Sequence, residues 1–448
     1  MKDQVKQVAA FNYTPDDGGM MDAWLDLYMD DWFYVHQHRS WYEWQKTHWQ
    51  EEGSSKVGRM IQHMLKSYNK AVRFSLNGQE GDARKKIKSY ISATRRSRSR
   101  ISSIETMAAN ELGVDAREVD RKDIINFKNG SFDIDGLELR EHDREDLLTN
   151  CLPYEYDPDA SSPVWDQYLE HLPTECMLFL QEFAGYSLTT ETRYEVAVWL
   201  HGPPGSGKST FINGIQFALG YRSGILSLTA LENDRFALAN IPGKTLLVST
   251  EQPALHMRAS AKLNKIISGE KVNIDQKYRE AYAIEPYAKI LWAMNQFPIV
   301  KDTSDGIFRR VKVVRFREVH KKIPELKERF EKERAGIFNW MVDGLKRLRD
   351  RGHFEIPDAV KEATEEFVDE NDIARAFVKE NCAIGPEYEE ASSDLHEAFN
   401  GWCEENEFKT LSPYKLAQEW KRLGFEKYKA PTGMRWVGLK LRRRSLNL

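Results

Sequence analysis

Cysteine is scarce in this sequence. Cys151, Cys176, Cys382 and Cys403 lie far apart with no CxxC spacing, which excludes a disulfide framework and a thiolate zinc site. Long apolar runs are also missing. No stretch approaches the roughly 20 residues of a membrane span, and the opening MKDQVKQVAAFNY lacks the apolar segment of a secretory signal. A cytoplasmic protein without a membrane partner is expected. Neither charge is in excess: 65 Lys and Arg stand against 69 Asp and Glu, for a net −4. As a sum, that argues against a nucleic-acid partner. Aromatic surface, in contrast, is plentiful. With 12 Trp, 21 Phe and 18 Tyr among 448 residues, wholesale disorder is excluded and about three domains can form.

The net charge conceals local segregation. Between Ala83 and Ile104 there is no acid, while Arg84, Lys85, Lys86, Lys88, Arg95, Arg96, Arg98 and Arg100 give a local +8. From Lys415 to the end, ten basic residues face only Glu419 and Glu426. Each run fits a solvated helix face or loop, and each also fits phosphate contact.

Residues 1–120 are read as a mainly helical, aromatic and basic N-terminal region. Trp24, Trp32, Trp41, Trp44 and Trp49 fit core packing, with an exposed base-stacking platform as the alternative. His36, His38 and His48 lack the Cys or carboxylate spacing of a metal site. Residues 121–190 form a collar or linker. In it, Ile124 to Leu139 reads as a β-hairpin around Asn129, Gly130, Asp135 and Gly136, and Trp165 to Phe183 as one helix. Residues 191–350 alternate apolar strands (VAVWL, KTLLVST, AKILWAM, VKVVRF) with helices, the pattern of an α/β nucleotide-binding domain closed by a helical segment over Leu326 to Leu348. Residues 351–448 end as helix, helix, basic hairpin, a winged-helix-like pattern. Ser393 and Ser412 are its expected helix caps.

Chemistry concentrates in the α/β region. Gly202, Pro203, Pro204, Gly205, Ser206, Gly207, Lys208 and Ser209 satisfy GxxxxGK[ST] between an apolar strand and a helix that continues from Thr210. Backbone amides of Gly205 to Lys208 are expected to cradle phosphate oxygens, Lys208 to neutralise the β and γ phosphates of ATP, and Ser209 to hold a magnesium ion. Such a loop needs an acid at the end of a neighbouring strand. Glu251, closing KTLLVSTE, supplies it as metal-shell and water-orienting residue. Asn295, ending AKILWAM, is either a γ-phosphate and water contact or simply a turn former. Arg309 and Arg310 offer an arginine for the nucleotide of a neighbouring subunit, or else a surface ion pair.

The ordered segments GPPGSGKST, LLVSTE, KIISGEKVNIDQKY, ILWAMNQFP and DGIFRRVKVVRF closely resemble the superfamily 3 helicases of phage and plasmid primase-helicase proteins. NFKNGSFDI, DPDASSPVWDQYL, FAGYSL and AGIFNWMVDGLKRL look like the same family, so the likeness covers about Ile124 to Arg351. It implies an AAA+-like core in a hexameric ring, moving 3′ to 5′ on single-stranded or forked DNA with ATP and magnesium as cofactors. It also implies that Arg310, rather than Arg309, is the trans-acting finger. Asn295 matches the family's sensor, and Glu251 its metal-site acid, although Thr250 stands where many members carry a second acid. Lys271, with Lys277, Tyr278 and Arg279 at a hairpin tip, matches the motif that follows DNA through the ring. Only about 120 residues precede the matching region, without the carboxylates of nucleotidyl transfer. No primase activity is therefore expected, and a separate primase or polymerase is an implied partner. If a phage or plasmid encodes the chain, its place is the bacterial host cytoplasm. Two readings stand beside the helicase: an ATPase that melts an origin or loads another protein, and a scaffold locked by nucleotide.

Overall fold

Asp16 starts the first helix by accepting the Gly19 amide on its carboxylate at 2.8 Å. The structure is a computed structural model that describes residues 10–76, 78–120, 123–252, 256–257, 260–275, 281–300, 305–318, 325–406, 408 and 410–442. Helix α1 (Asp17–Tyr28) precedes β1 (Trp32–Val35), β2 (Ser40–Trp44) and β3 (Trp49–Glu52). Three helices follow, α2 (Ser54–Phe74), α3 (Gly81–Ala93) and α4 (Arg98–Glu111), and then β4 (Gly113–Val114) completes a sheet in the order β3-β2-β1-β4. The region expected to be mainly helical thus holds a four-stranded sheet, because the alternating aromatics of WFYV and SWYEW suit a pleated, half-buried surface. Trp24, Trp32, Trp41 and Trp49 are all buried in it, with Trp24 and Trp41 edge to face at 5.7 Å. They are core and not a platform for bases. Among the described residues no cluster of His, Cys, Asp or Glu could hold a metal, and no helix is long and apolar enough to cross a membrane.

The predicted hairpin is a three-stranded meander, β5 (Ile124–Phe127), β6 (Gly130–Asp133) and β7 (Glu138–Arg140). The helix expected over Trp165 to Phe183 is two, α5 (Pro163–Leu169) and α6 (Thr174–Tyr186). Pro173 cannot donate a helical hydrogen bond and becomes the flanking residue of the second.

Next comes the α/β unit: β8 (Ala197–His201), α7 (Lys208–Leu219), β9 (Ser223–Ile225), α8 (Leu228–Asn233), β10 (Leu246–Gln252), β11 (His256–Met257), α9 (Ser260–Ser268), β12 (Val272–Ile274), β13 (Tyr282–Ile284), β14 (Lys289–Met294), β15 (Ile299–Val300), α10 (Asp305–Arg310) and β16 (Val311–Arg315). Five strands form a wholly parallel sheet in the order β16-β8-β14-β10-β9. Helices cover both faces, which is why the inner strands read as unbroken apolar runs. β9 escapes such a reading, being a three-residue edge strand with Ile225 exposed.

The helices after the sheet hold it on two sides. α11 (Leu326–Lys332) and α12 (Arg334–Arg351) meet at Glu333, whose carboxylate accepts the Val164 amide at 3.0 Å and that of Trp165 at 3.0 Å, capping α5. α12 crosses α6 at backbone contact: a Cβ on Gly344 would lie 2.1 Å from the Gln181 carbonyl oxygen, and one on Gly185 2.3 Å from the Leu345 nitrogen. Beside this crossing, buried Glu182 pairs with Arg347 and Arg351. One hydrophobic core runs from Ile125 to Val360, so the collar and the α/β region share it across residue 190. On the other side α13 (Asp358–Asn371) covers the sheet edge, where Thr364 Oγ1 accepts the Val313 amide of β16 at 3.0 Å.

The last unit runs α14 (Ile373–Asn381), β17 (Cys382–Ala391), α15 (Ser392–Glu405), α16 (Pro413–Arg422), β18 (Glu426–Ala430) and β19 (Gly433–Leu441), with an antiparallel sheet ordered β17-β19-β18. Ser412 caps α16 as expected, accepting the Lys415 amide. Ser393 does not cap α15; its hydroxyl donates to Asp394 from inside the first turn. β17 went unpredicted because its second half, PEYEE, is acidic and partly exposed.

Candidate active site

The glycine-rich loop leaves the carboxyl end of β8 and enters α7. Its turn places Gly205 at φ 78° and Gly207 at φ 95°, a conformation that favours glycine over any residue with a Cβ. Lys208 is buried at the floor of the loop. Its Nζ donates to the carbonyls of Gly202 at 2.7 Å and Pro203 at 2.8 Å, and to Ser206 Oγ at 3.2 Å. Burial pushes its pKa down.

Next to this loop the ladder between β10 and β14 slips. Register shifts between Ser249 and Gln252, and such a bulge re-aims the residues it contains. Thr250 and Glu251 are exposed there while Leu246 to Val248 stay buried. Ser209 Oγ donates to the Thr250 carbonyl at 3.1 Å, tying the loop's hydroxyl to the strand end that carries the acid. A cleft of about 900 Å³ takes in Gly205 to Thr210, Thr250, Glu251 and Asn295. Ser209 and Glu251 offer the hard oxygen donors that magnesium prefers, so this pair fits that ion. Three separate predictions from sequence, the loop with its Ser209, Glu251 and Asn295, therefore meet in one cleft.

Two other predictions fare differently. Arg310 is buried. Its guanidinium pairs with Glu195 at 2.7 Å and donates to the Gly306 carbonyl at 3.0 Å, with its side chain 10% exposed. Arg309 is 70% exposed and 3.7 Å from the same carboxylate, so Arg309 is the arginine presented outward in the single chain and Arg310 the one held against Glu195. Consecutive helical positions point about 100° apart, and the partner that selects between them lies far away in sequence. Lys277, Tyr278 and Arg279 lie outside the described residues. Lys271 is exposed, with Glu285 3.8 Å away, at the entry of the antiparallel pair β12 and β13 that brackets them.

The cleft also contains residues that sequence reasoning missed: Tyr168 and His171 from the α5 region, and exposed Arg317 at the carboxyl end of β16. Arg317 had a signal, since it follows the last apolar strand at the sheet edge where the loop and acid emerge. Tyr168 had none. Its hydroxyl donates to the Gly207 carbonyl at 2.9 Å, and burial pushes the phenol's pKa up, keeping it a donor. Removing that bond in Tyr168→Phe should release about 1 kcal/mol of loop restraint. Affinity for a fluorescent ATP analogue should fall about fivefold with kcat little changed. A fall in kcat at unchanged affinity would refute this positioning role.

Known proteins match parts of the chain. Residues 21–172 fit the family model described as D5 N terminal like, and residues 200–310 fit a family of unknown function, DUF5906. A curated relative, the putative helicase L207/L206 of Acanthamoeba polyphaga mimivirus, is 22% identical over 223 residues. That match takes in 47% of this chain and 23% of the relative, so the chain spans about a quarter of the relative's length. Among solved structures, the A form apo structure of the NrS-1 C-terminal region superposes with a TM-score of 0.53 at 11% identity, covering 95% of this chain and 99% of that one. A second apo structure of the region also gives 0.53, at 10% identity and with the same coverage. By family model the chain is thus similar to D5 N-terminal-like proteins, by sequence to a putative viral helicase, and by fold to the NrS-1 C-terminal region.

Proposed function

We propose that this protein is an ATP-dependent DNA helicase of a phage, plasmid or other mobile element, working as a ring-shaped homo-oligomer, a hexamer by family likeness, that moves 3′ to 5′ along single-stranded DNA. The observation that carries the reading is the convergence of Lys208, Ser209, bulged Glu251 and Asn295 in one cleft at the carboxyl edge of a parallel sheet. Read in chain order, the five strands lie 5-1-4-3-2, which supports an AAA+-like P-loop core. Lys208 would bind the β and γ phosphates, Asn295 would contact the γ-phosphate, and Glu251 would orient water and accept its proton. A magnesium ion held by Ser209 and Glu251 would neutralise charge on the phosphates. Arg309 would reach the neighbouring subunit's nucleotide, Lys271 and residues 277–279 would follow the DNA backbone, and the C-terminal helix, helix, hairpin unit would act as a winged helix toward DNA or a loaded partner.

Mixing two inactive variants tests the shared site. Arg309→Ala subunits keep the phosphate loop, and Lys208→Ala subunits keep the arginine. A random mixture should recover roughly a quarter of wild-type ATPase on single-stranded DNA, because one interface in four is then complete. No recovery despite confirmed co-assembly would overturn the trans arginine and the ring mechanism built on it.

A further inference from the structure

The N-terminal unit carries a basic face far larger than the run at Ala83 to Ile104. From Ser54 to Ile104 there are thirteen Lys and Arg against Glu80 and Asp82 alone, in a chain whose net charge is −4. The structure separates the members with protein partners from the rest. Lys56 pairs with Glu43 and Glu52, and Arg100 with Asp17 at 2.6 Å. Lys85 lies 3.7 Å from Asp82, both highly exposed, a geometry that binds little. Among the described residues, no carboxylate pairs with Arg59, Lys66, Lys70, Arg73, Arg84, Lys86, Lys88, Arg95, Arg96 or Arg98, and all ten are exposed.

Helical phase gathers these charges. α2 buries Val57, Met60, Ile61, Met64, Leu65, Tyr68 and Val72. Arg59, Lys66, Lys70 and Arg73, at i, i+7, i+11 and i+14, fall on the opposite side in one stripe roughly 20 Å long. α3 packs by Ile87, Tyr90 and Ala93, leaving Arg84, Lys85 and Lys88 side by side on its outer surface. Asn69 of α2 donates to the Ile91 carbonyl at 3.2 Å and to Thr94 Oγ1 at 2.9 Å, fixing the end of α3 against α2. Between α2 and the start of α4 runs a groove of about 550 Å³ lined by Gln62, Arg96, Arg98, Ile101, Ser102 and Glu105. The acid in that lining accepts the Trp41 indole N–H. Phe74, at the end of the α2 stripe, is 80% exposed.

We infer that α2, α3 and the start of α4 form a binding surface for single-stranded nucleic acid, separate from the nucleotide cleft and from the β12–β13 strands. Phosphates would lie along the two basic helix faces and the α2–α4 groove, with Phe74 stacking a base. A basic surface that also carries an exposed ring suits a single strand, since every base has a π-face. An anionic membrane fits less well. The exposed large apolar residues described for this unit are Phe11, Met29 and Phe74, too few to insert a face among lipids. The surface needs no ATP, so it stands or falls independently of the helicase reading.

The test is binding of a fluorescein-labelled oligothymidylate, about 30 nucleotides long, to the full chain without nucleotide across a salt series. The triple variant Arg84→Glu, Lys85→Glu, Lys88→Glu should lose at least tenfold in affinity at low salt, and its salt slope should shrink by about 2, near 0.7 per lost phosphate contact. Phe74→Ala should lose at least about fivefold, as the loss of one stacked base predicts. Melting temperature and elution volume should match wild type, because all four positions are exposed. Wild-type affinity and slope in the triple variant would overturn the inference. So would unchanged DNA binding with lost binding to phosphatidylserine vesicles, which would mark the face as a lipid contact.

Discussion

Lys208→Ala should lower ATP turnover by about three orders of magnitude. The ammonium sits on a buried floor, held by the carbonyls of Gly202 and Pro203, and not on a mobile surface stem. An opposite charge 4 Å away at an effective dielectric near 20 is worth about 4 kcal/mol, which is roughly 10³-fold in rate or binding. Because Lys208 would meet phosphate charge in the bound substrate and further charge developing on the leaving β-phosphate oxygens in the transition state, both KM and kcat should suffer. Phosphate release from purified protein, with and without single-stranded DNA, reads the effect. Retention of more than a tenth of wild-type turnover would remove Lys208 from the mechanism. Calorimetry separates this from unfolding, since the loop's carbonyls lose a donor in the variant and a small drop in Tm is expected on that ground alone.

Glu251→Gln should divide binding from chemistry. The amide keeps the shape of the carboxylate and loses its basicity, so turnover should fall by about 10² to 10⁴ while ATP affinity stays near wild type. The bulge explains the separation. Glu251 is turned out of the ladder into the cleft, whereas the loop that would bind phosphates is anchored independently through Lys208 and Tyr168. Equilibrium binding of a fluorescent ATP analogue beside single-turnover hydrolysis decides the matter. If the variant fails to bind nucleotide, Glu251 has a structural role and the water-orienting assignment fails.

The parts of the fold that could be read in advance are those where local pattern and tertiary placement agree. β8, β10, β14 and β16 are buried on both faces, so each appears as an apolar run, and the loop motif between β8 and α7 fixes its own turn chemistry. The N-terminal strands were hidden because their aromatics serve sheet and core at once, and WFYV alone does not reveal its partners. Arg309 and Arg310 could not be separated without Glu195, and Tyr168 enters the cleft only because α5 is set against the loop by Glu333. The basic stripe of α2 was present in the letters. It was missed because its charges are spaced by helical turns, and a count along the sequence dilutes them.

The crossing of α6 and α12 bears on how this protein can be cut and varied. Gly185 and Gly344 face backbone at distances no side chain tolerates, so a saturation library should return glycine alone at both positions. For the same reason the α/β region is not a detachable cassette. A fragment begun at β8 would discard α6, uncover Met341 and Leu345, and leave Arg347 and Arg351 without Glu182. The smallest piece that keeps its core intact starts ahead of Ile124 and ends beyond Asn371, with the strand meander, both clasping helices and the edge-covering α13 retained.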